Sequence, residues 1–109
     1  MIVVTIIIGL FHIGAGFLVK STPDLIAGYN TMSKEKKKNV DVVGLSSFMK
    51  KGFIIMGVAT IILSLFILVF HLNNLFYIWI IIIITLGGVI VLSIKAQKFD
   101  GNKKNHTHN

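Results

Sequence analysis

Residues 52–70 read GFIIMGVATIILSLFILVF and residues 76–94 read FYIWIIIIITLGGVIVLSI, two runs with no acid, lysine, arginine or histidine, separated only by His71-Leu72-Asn73-Asn74-Leu75. A helix of nineteen residues rises about 28 Å, close to the roughly 30 Å hydrocarbon thickness of a bilayer. Each run is long enough to span. The β-branched stretch Ile80–Ile84 favours strand in water. In hydrocarbon, an unpaired strand edge leaves backbone groups unsatisfied, whereas a helix closes its own hydrogen bonds. Residues 1–19, MIVVTIIIGLFHIGAGFLV, make a third apolar run, with no acid or lysine and the single histidine His12. It has no basic n-region, and the first lysine, Lys20, follows the apolar stretch, so the segment is expected to be retained rather than cleaved as a signal peptide.

The expected fold class is therefore an all-α membrane protein. Residues 1–94 are read as one membrane domain with three transmembrane helices (about 1–19, 52–70 and 76–94), a loop 20–51 of short interfacial helical turns, and a hairpin 71–75. Residues 95–109 are read as a basic, disordered tail. The composition agrees: 54% of the 109 residues are hydrophobic and 14% charged, with a mean hydropathy of +0.83, against roughly 25% charged residues in soluble domains.

Eleven lysines and no arginine stand against four acids, giving +7. Lys20, Lys34, Lys36, Lys37, Lys38, Lys50 and Lys51 lie in the first loop, and Lys95, Lys98, Lys103 and Lys104 follow the third span. Three spans put both segments on one side, which the positive-inside rule makes cytoplasmic. The expectation is a multi-pass protein of the bacterial cytoplasmic membrane, N-terminus outside and C-terminus cytoplasmic. Phe76, Tyr77 and Trp79 then fall at the outer mouth of the third span, where amphipathic rings favour the headgroup level. The lysines read as topology determinants meeting anionic headgroups, or as a docking site for an acidic partner. Nucleic acid is not expected, because neither arginine nor stacking aromatics accompany them.

Between the first two spans, Thr22-Pro23-Asp24 reads as a helix start. Gly28 and Asn30 end that helix early, and Ser33 and Asp41 each suit the cap of a further short helix. Val42, Leu45 and Met49 share one face of the last of these before Lys50-Lys51. Gly28, Tyr29, Asn30 and Thr31 combine a turn, an interfacial aromatic and two short hydrogen-bonding side chains. They read either as a small recognition surface for a peptide or lipid headgroup, or as caps ending neighbouring turns.

The run Asp24-Leu25-Ile26-Ala27-Gly28-Tyr29-Asn30-Thr31-Met32-Ser33-Lys34-Glu35-Lys36, with Asp41 and then Phe48-Met49-Lys50-Lys51-Gly52 leading into an apolar span, resembles the small membrane proteins of domain of unknown function 3784. The likeness covers most of residues 1–94. It implies a small multi-span protein of the bacterial cytoplasmic membrane without an established activity. A more distant resemblance is to the immunity family that protects sporulating bacteria from the sporulation-delay toxin, which carries a Gly-aromatic or Gly-Arg-Thr motif in a loop between spans. This chain has Asn30 before Thr31 where that pattern has arginine, and its loop has no tryptophan.

Within the spans, Thr5, Gly9, His12 and Gly16 form a stripe on the first helix, Gly57, Thr60 and Ser64 on the second, and Thr85 and Gly88 on the third. Small-residue stripes suit close helix packing in lipid, here through Gly9, Gly16, Gly57, Ser64 and Gly88. Counted from the nearest lysines, His12, Thr60 and Thr85 lie about 12, 13.5 and 15 Å deep, so a polar layer of the three is expected. An intramembrane histidine reads as a proton relay or ligand contact, or as packing glue bonded to Thr60 or Thr85. The spans contain no charged counter-ion, which favours glue.

No catalytic constellation, metal site or cofactor is expected: there is no cysteine, no nucleophile beside a base and no phosphate-cradling loop. His106 and His108 make at most a two-ligand site on a tail. The expected function is non-catalytic, by binding a membrane-protein partner or by forming a homo-oligomer. The alternative is immunity against a membrane-active peptide, and a subunit of a small-solute or ion transporter comes third.

Overall fold

A computed structural model of the chain describes residues 1–101. The tail beyond it, with Lys103, Lys104, His106 and His108, lies outside the described residues. Three long helices dominate: α1 (Ile2–Ser21), α4 (Val42–Val69) and α5 (Leu75–Ala96), with two single-turn helices, α2 (Ala27–Asn30) and α3 (Lys34–Lys37), between the first two. All three long helices are long and apolar enough to cross a membrane, and no strand forms among the described residues.

The first loop follows its local chemistry. Pro23 opens a 3-10 turn, Pro23–Leu25, although Thr22 makes no side-chain capping bond there. Ser33 caps α3, its Oγ accepting from the Lys36 amide at 3.3 Å. Asp41 caps α4, its Oδ1 accepting from the Gly44 amide at 3.0 Å. The turn capped by Asp41 does not stop at Lys50-Lys51 but runs on through the apolar stretch as one helix of 28 residues. Nothing between Val42 and Val69 breaks it, and lysine side chains reach outward along their stems without disturbing the backbone. At about 42 Å, α4 exceeds the hydrocarbon thickness, so its first two to three turns stand beyond it. In the hairpin, the Asn73 side chain accepts from the Leu75 amide at 2.9 Å, and His71 takes a left-handed backbone, φ 52°.

α4 is the central helix. α1 packs along one side of it and α5 along another, both antiparallel. A Cβ on Gly9 would stand 2.6 Å from Ile61 Cγ1 and 2.9 Å from the Gly57 carbonyl oxygen, and one on Gly16 would stand 2.8 Å from the Lys50 carbonyl oxygen. The α4–α5 seam interlocks twice: Leu92 of α5 fills the notch over Gly52, and Met56 of α4 fills that over Gly88, its Sδ 2.7 Å from the missing methyl position. These contacts are van der Waals packing, the main driving force between helices in lipid. Phe76 and Trp79 are exposed at the start of α5, whereas Tyr77 turns inward and is buried.

Residues 95–101, counted with the basic tail in the sequence reading, continue α5 and fold back. A 3-10 turn, Gln97–Phe99, follows α5 directly. The Asp41 amide donates to the Phe99 carbonyl and the Gly101 amide to the Asn39 carbonyl, both at 2.9 Å, making an antiparallel bridge between Val40 and Asp100. Phe99 also packs on Phe48, ring centroids 5.5 Å apart.

Candidate functional site

Among the intramembrane polar side chains, Thr5, Thr60 and Ser64 are satisfied by their own helices, whereas His12 and Thr85 join two helices. The Thr60 hydroxyl donates to the Met56 carbonyl at 2.9 Å and the Ser64 hydroxyl to the Thr60 carbonyl at 2.6 Å. Thr5 donates to the Ile2 carbonyl at 2.9 Å. All three are fully buried. His12 and Thr85 come together across α1 and α5, with Nε2 and Oγ1 3.2 Å apart, and Nδ1 lies 2.9 Å from the Ile8 carbonyl oxygen. That carbonyl can only accept, so Nδ1 carries the proton there. In the neutral tautomer Nε2 then accepts from Thr85. Thr60 is not part of this pair. Its hydroxyl is taken up by the Met56 carbonyl of its own helix.

A second feature lies at the lysine-rich end. α1, α4 and α5 surround a cavity of about 460 Å³ roofed by the first loop. Val19 of α1, Met49 and Phe53 of α4 and Val89 of α5 form its walls, and Tyr29 and Met32 face it from the roof. Its size lies in the roughly 300–1,000 Å³ range of ligand pockets. Ser93, Gln97 and Asp100 add the few polar groups, on the α5 side.

Of the loop residues singled out in the sequence, Tyr29 faces the cavity, Gly28 lies in α2, and Asn30 and Thr31 are exposed. The roof is pinned in two ways. The Lys37 ammonium stands 5.0 Å from the Tyr29 ring centroid and 3.6 Å from Asp24 Oδ1, and the Phe99–Gly101 strap holds Asn39–Asp41. Lys98 rests against Phe48 and Phe99, 5.2 and 5.1 Å from their centroids. Lys50 extends over Phe17 at 4.6 Å, burying its stem while keeping its charge near the boundary.

The sequence marks Leu45 and Met49 as one apolar face but carries no sign that Val19, Phe53 and Val89 join them around a cavity, nor of the strap. Asp100-Gly101 is a turn signal, but its pairing with Asn39–Asp41 is non-local. Among the described residues, no group of three or more His, Cys, Asp or Glu is placed to hold a metal ion.

Three spanning helices and an intramembrane polar contact define a multi-pass α-helical membrane protein. The family model described as domain of unknown function (DUF3784) matches residues 5–100, and the chain belongs to that family. No curated protein and no solved structure matches it.

Proposed function

We propose that this is a non-catalytic protein of the bacterial cytoplasmic membrane that works by binding, with its binding site in the cavity under Tyr29. The carrying observation is the pairing of that cavity with the loop run that the sequence marks out: the aromatic of Gly28-Tyr29-Asn30-Thr31 is a roof over an apolar space of ligand size. All eleven lysines fall on the loop and the segment after the third span. The positive-inside rule therefore turns the cavity toward the cytoplasm, with the N-terminus outside.

The occupant is an apolar or amphipathic group reached from the membrane. A photocrosslinking residue replacing Tyr29 in cells tests this. A discrete adduct supports binding at the cavity, and photolysis without any adduct overturns it. Two finer readings differ in the adduct. A resident membrane protein or a second copy of this chain gives a polypeptide adduct in undisturbed cells. Immunity gives one only when a membrane-active peptide is present, and deletion then sensitises cells to that peptide without altering growth alone.

A further inference from the structure

The cavity crosses the membrane boundary. Lys20, Lys50, Lys51 and Lys95 mark where the three helices leave the hydrocarbon. Val19, Phe53 and Val89 lie on the membrane side of that line, whereas Leu45, Met49 and Gln97 lie beyond it. Leu45 to Phe53 on α4, and Val89 on α5 to Gln97 at the start of the following turn, each advance about 12 Å. A 460 Å³ space drawn over that length, walled mainly by apolar side chains and running from the hydrocarbon to the lysine-rich end, matches an elongated apolar chain that carries a charged head.

Access and charge agree with that occupant. α1 and α5 are joined by the His12–Thr85 contact. Val19 and Val89 lie seven and four residues further toward the lysines, where both helices border the cavity. Val89 is 44% exposed, so it faces lipid as well as cavity. At the other end, the described residues include nine lysines and four acids, a surplus of five positive charges, with Lys37 over the roof tyrosine and Lys98 beside Gln97. Ser93 and Gln97 supply a hydroxyl and an amide on the cavity's polar side.

We propose that the cavity holds the upper part of one acyl chain of an anionic membrane phospholipid, with its headgroup raised among the lysines above the plane of its neighbours. This rests on the reading of the cavity as the binding site. Because the bilayer itself competes for the chain, the chain supplies fit and the headgroup supplies preference. One lysine near an anionic surface corresponds to about a fivefold gain in partition.

The test uses the full chain in phosphatidylcholine vesicles doped with either phosphatidylglycerol or phosphatidylcholine carrying a photoactivatable group in the first half of one acyl chain. Adducts are mapped by mass spectrometry. The expected result is labelling at Met49, Phe53 or Val89 about fivefold higher with phosphatidylglycerol, while labelling at the outward-facing Ile62 and Ile83 is equal for the two lipids. Met49→Trp, which fills the cavity, is expected to lower cavity adducts about tenfold with the outer adducts unchanged, showing that the chain is still inserted. Lys37→Gln with Lys98→Gln removes headgroup preference without filling the cavity. Labelling of the cavity that is equal for the two lipids, or no greater than on the outer faces, overturns the proposal. A polypeptide adduct at a Tyr29 crosslinker, with no lipid preference here, retains the binding reading and rejects the lipid; no adduct in either experiment rejects both.

Discussion

Gly9 of α1 and Gly57 of α4 touch backbone to backbone: a methyl on Gly9 would stand 2.9 Å from the Gly57 carbonyl oxygen, and one on Gly57 would collide with the Gly9 carbonyl. Neither neighbour is a flexible side-chain end, so the helices must separate to admit a methyl. Gly57→Ala is therefore expected to lower stability by about 1–3 kcal/mol. Gly14, whose Cβ position has nothing within 4 Å, is the control: Gly14→Ala should be neutral or gain up to about 1 kcal/mol. Unfolding of both variants in the same detergent checks the contrast, and equal losses would remove the close-approach argument.

His12 and Thr85 form the hydrogen bond between α1 and α5. A double-mutant cycle with His12→Ala and Thr85→Val is expected to give a coupling of about 0.6 kcal/mol, the usual worth of such bonds in lipid. If the pair is glue, His12→Ala leaves function and membrane level unchanged. Loss of function at an unchanged level would instead assign the imidazole a working role.

Leu92 is 8% exposed and occupies the notch over Gly52. Leu92→Ala empties that notch and is expected to cost about 2–3 kcal/mol, loosening α5 from α4. Disulfide trapping between cysteines introduced on α4 and α5 measures the separation; an unaltered trapping rate would argue against the interlock.

Phe99 ties the end of the chain to the loop through the Asp41 amide, at 2.9 Å, and through Phe48. Truncation after Ala96 removes both contacts. Hydrogen exchange at Asp41 should then accelerate about tenfold, corresponding to roughly 1.4 kcal/mol for the lost backbone bond and packing.

Orientation has its own check. Reporter fusions at residue 109 and within the 71–75 hairpin should report opposite sides of the membrane, the former cytoplasmic. The same side for both contradicts three spans.

How far the sequence alone reaches depends on the range of each interaction. The spans are legible because Asp, Glu, Lys and Arg are missing over nineteen residues at a time, and solvent then dictates a helix. The continuity of α4 through Lys50-Lys51 is harder to read, since two charges look like a boundary although only their ammonium groups need water. Depth counting brings His12 and Thr85 to similar heights but cannot assign Thr60, whose hydroxyl is satisfied one turn back at Met56. The cavity and strap have no periodic signature. They depend on three helices and the loop converging on one space, and on pairing between Val40 and Asp100.

That pairing also sets an order of events during synthesis. The loop segment Asn39–Asp41 emerges about sixty residues before Phe99–Gly101, the stretch that anchors it. α1 and α4 can meet across Gly9 and Gly57 as soon as both are inserted, and Lys37 can reach Tyr29 and Asp24 within the loop, but the strap is missing until the ribosome has released Phe99–Gly101. The cavity is thus the last part of the molecule to be completed, and a chain cut short anywhere in α5 would retain its first two membrane helices yet lack the strap that ties the loop down.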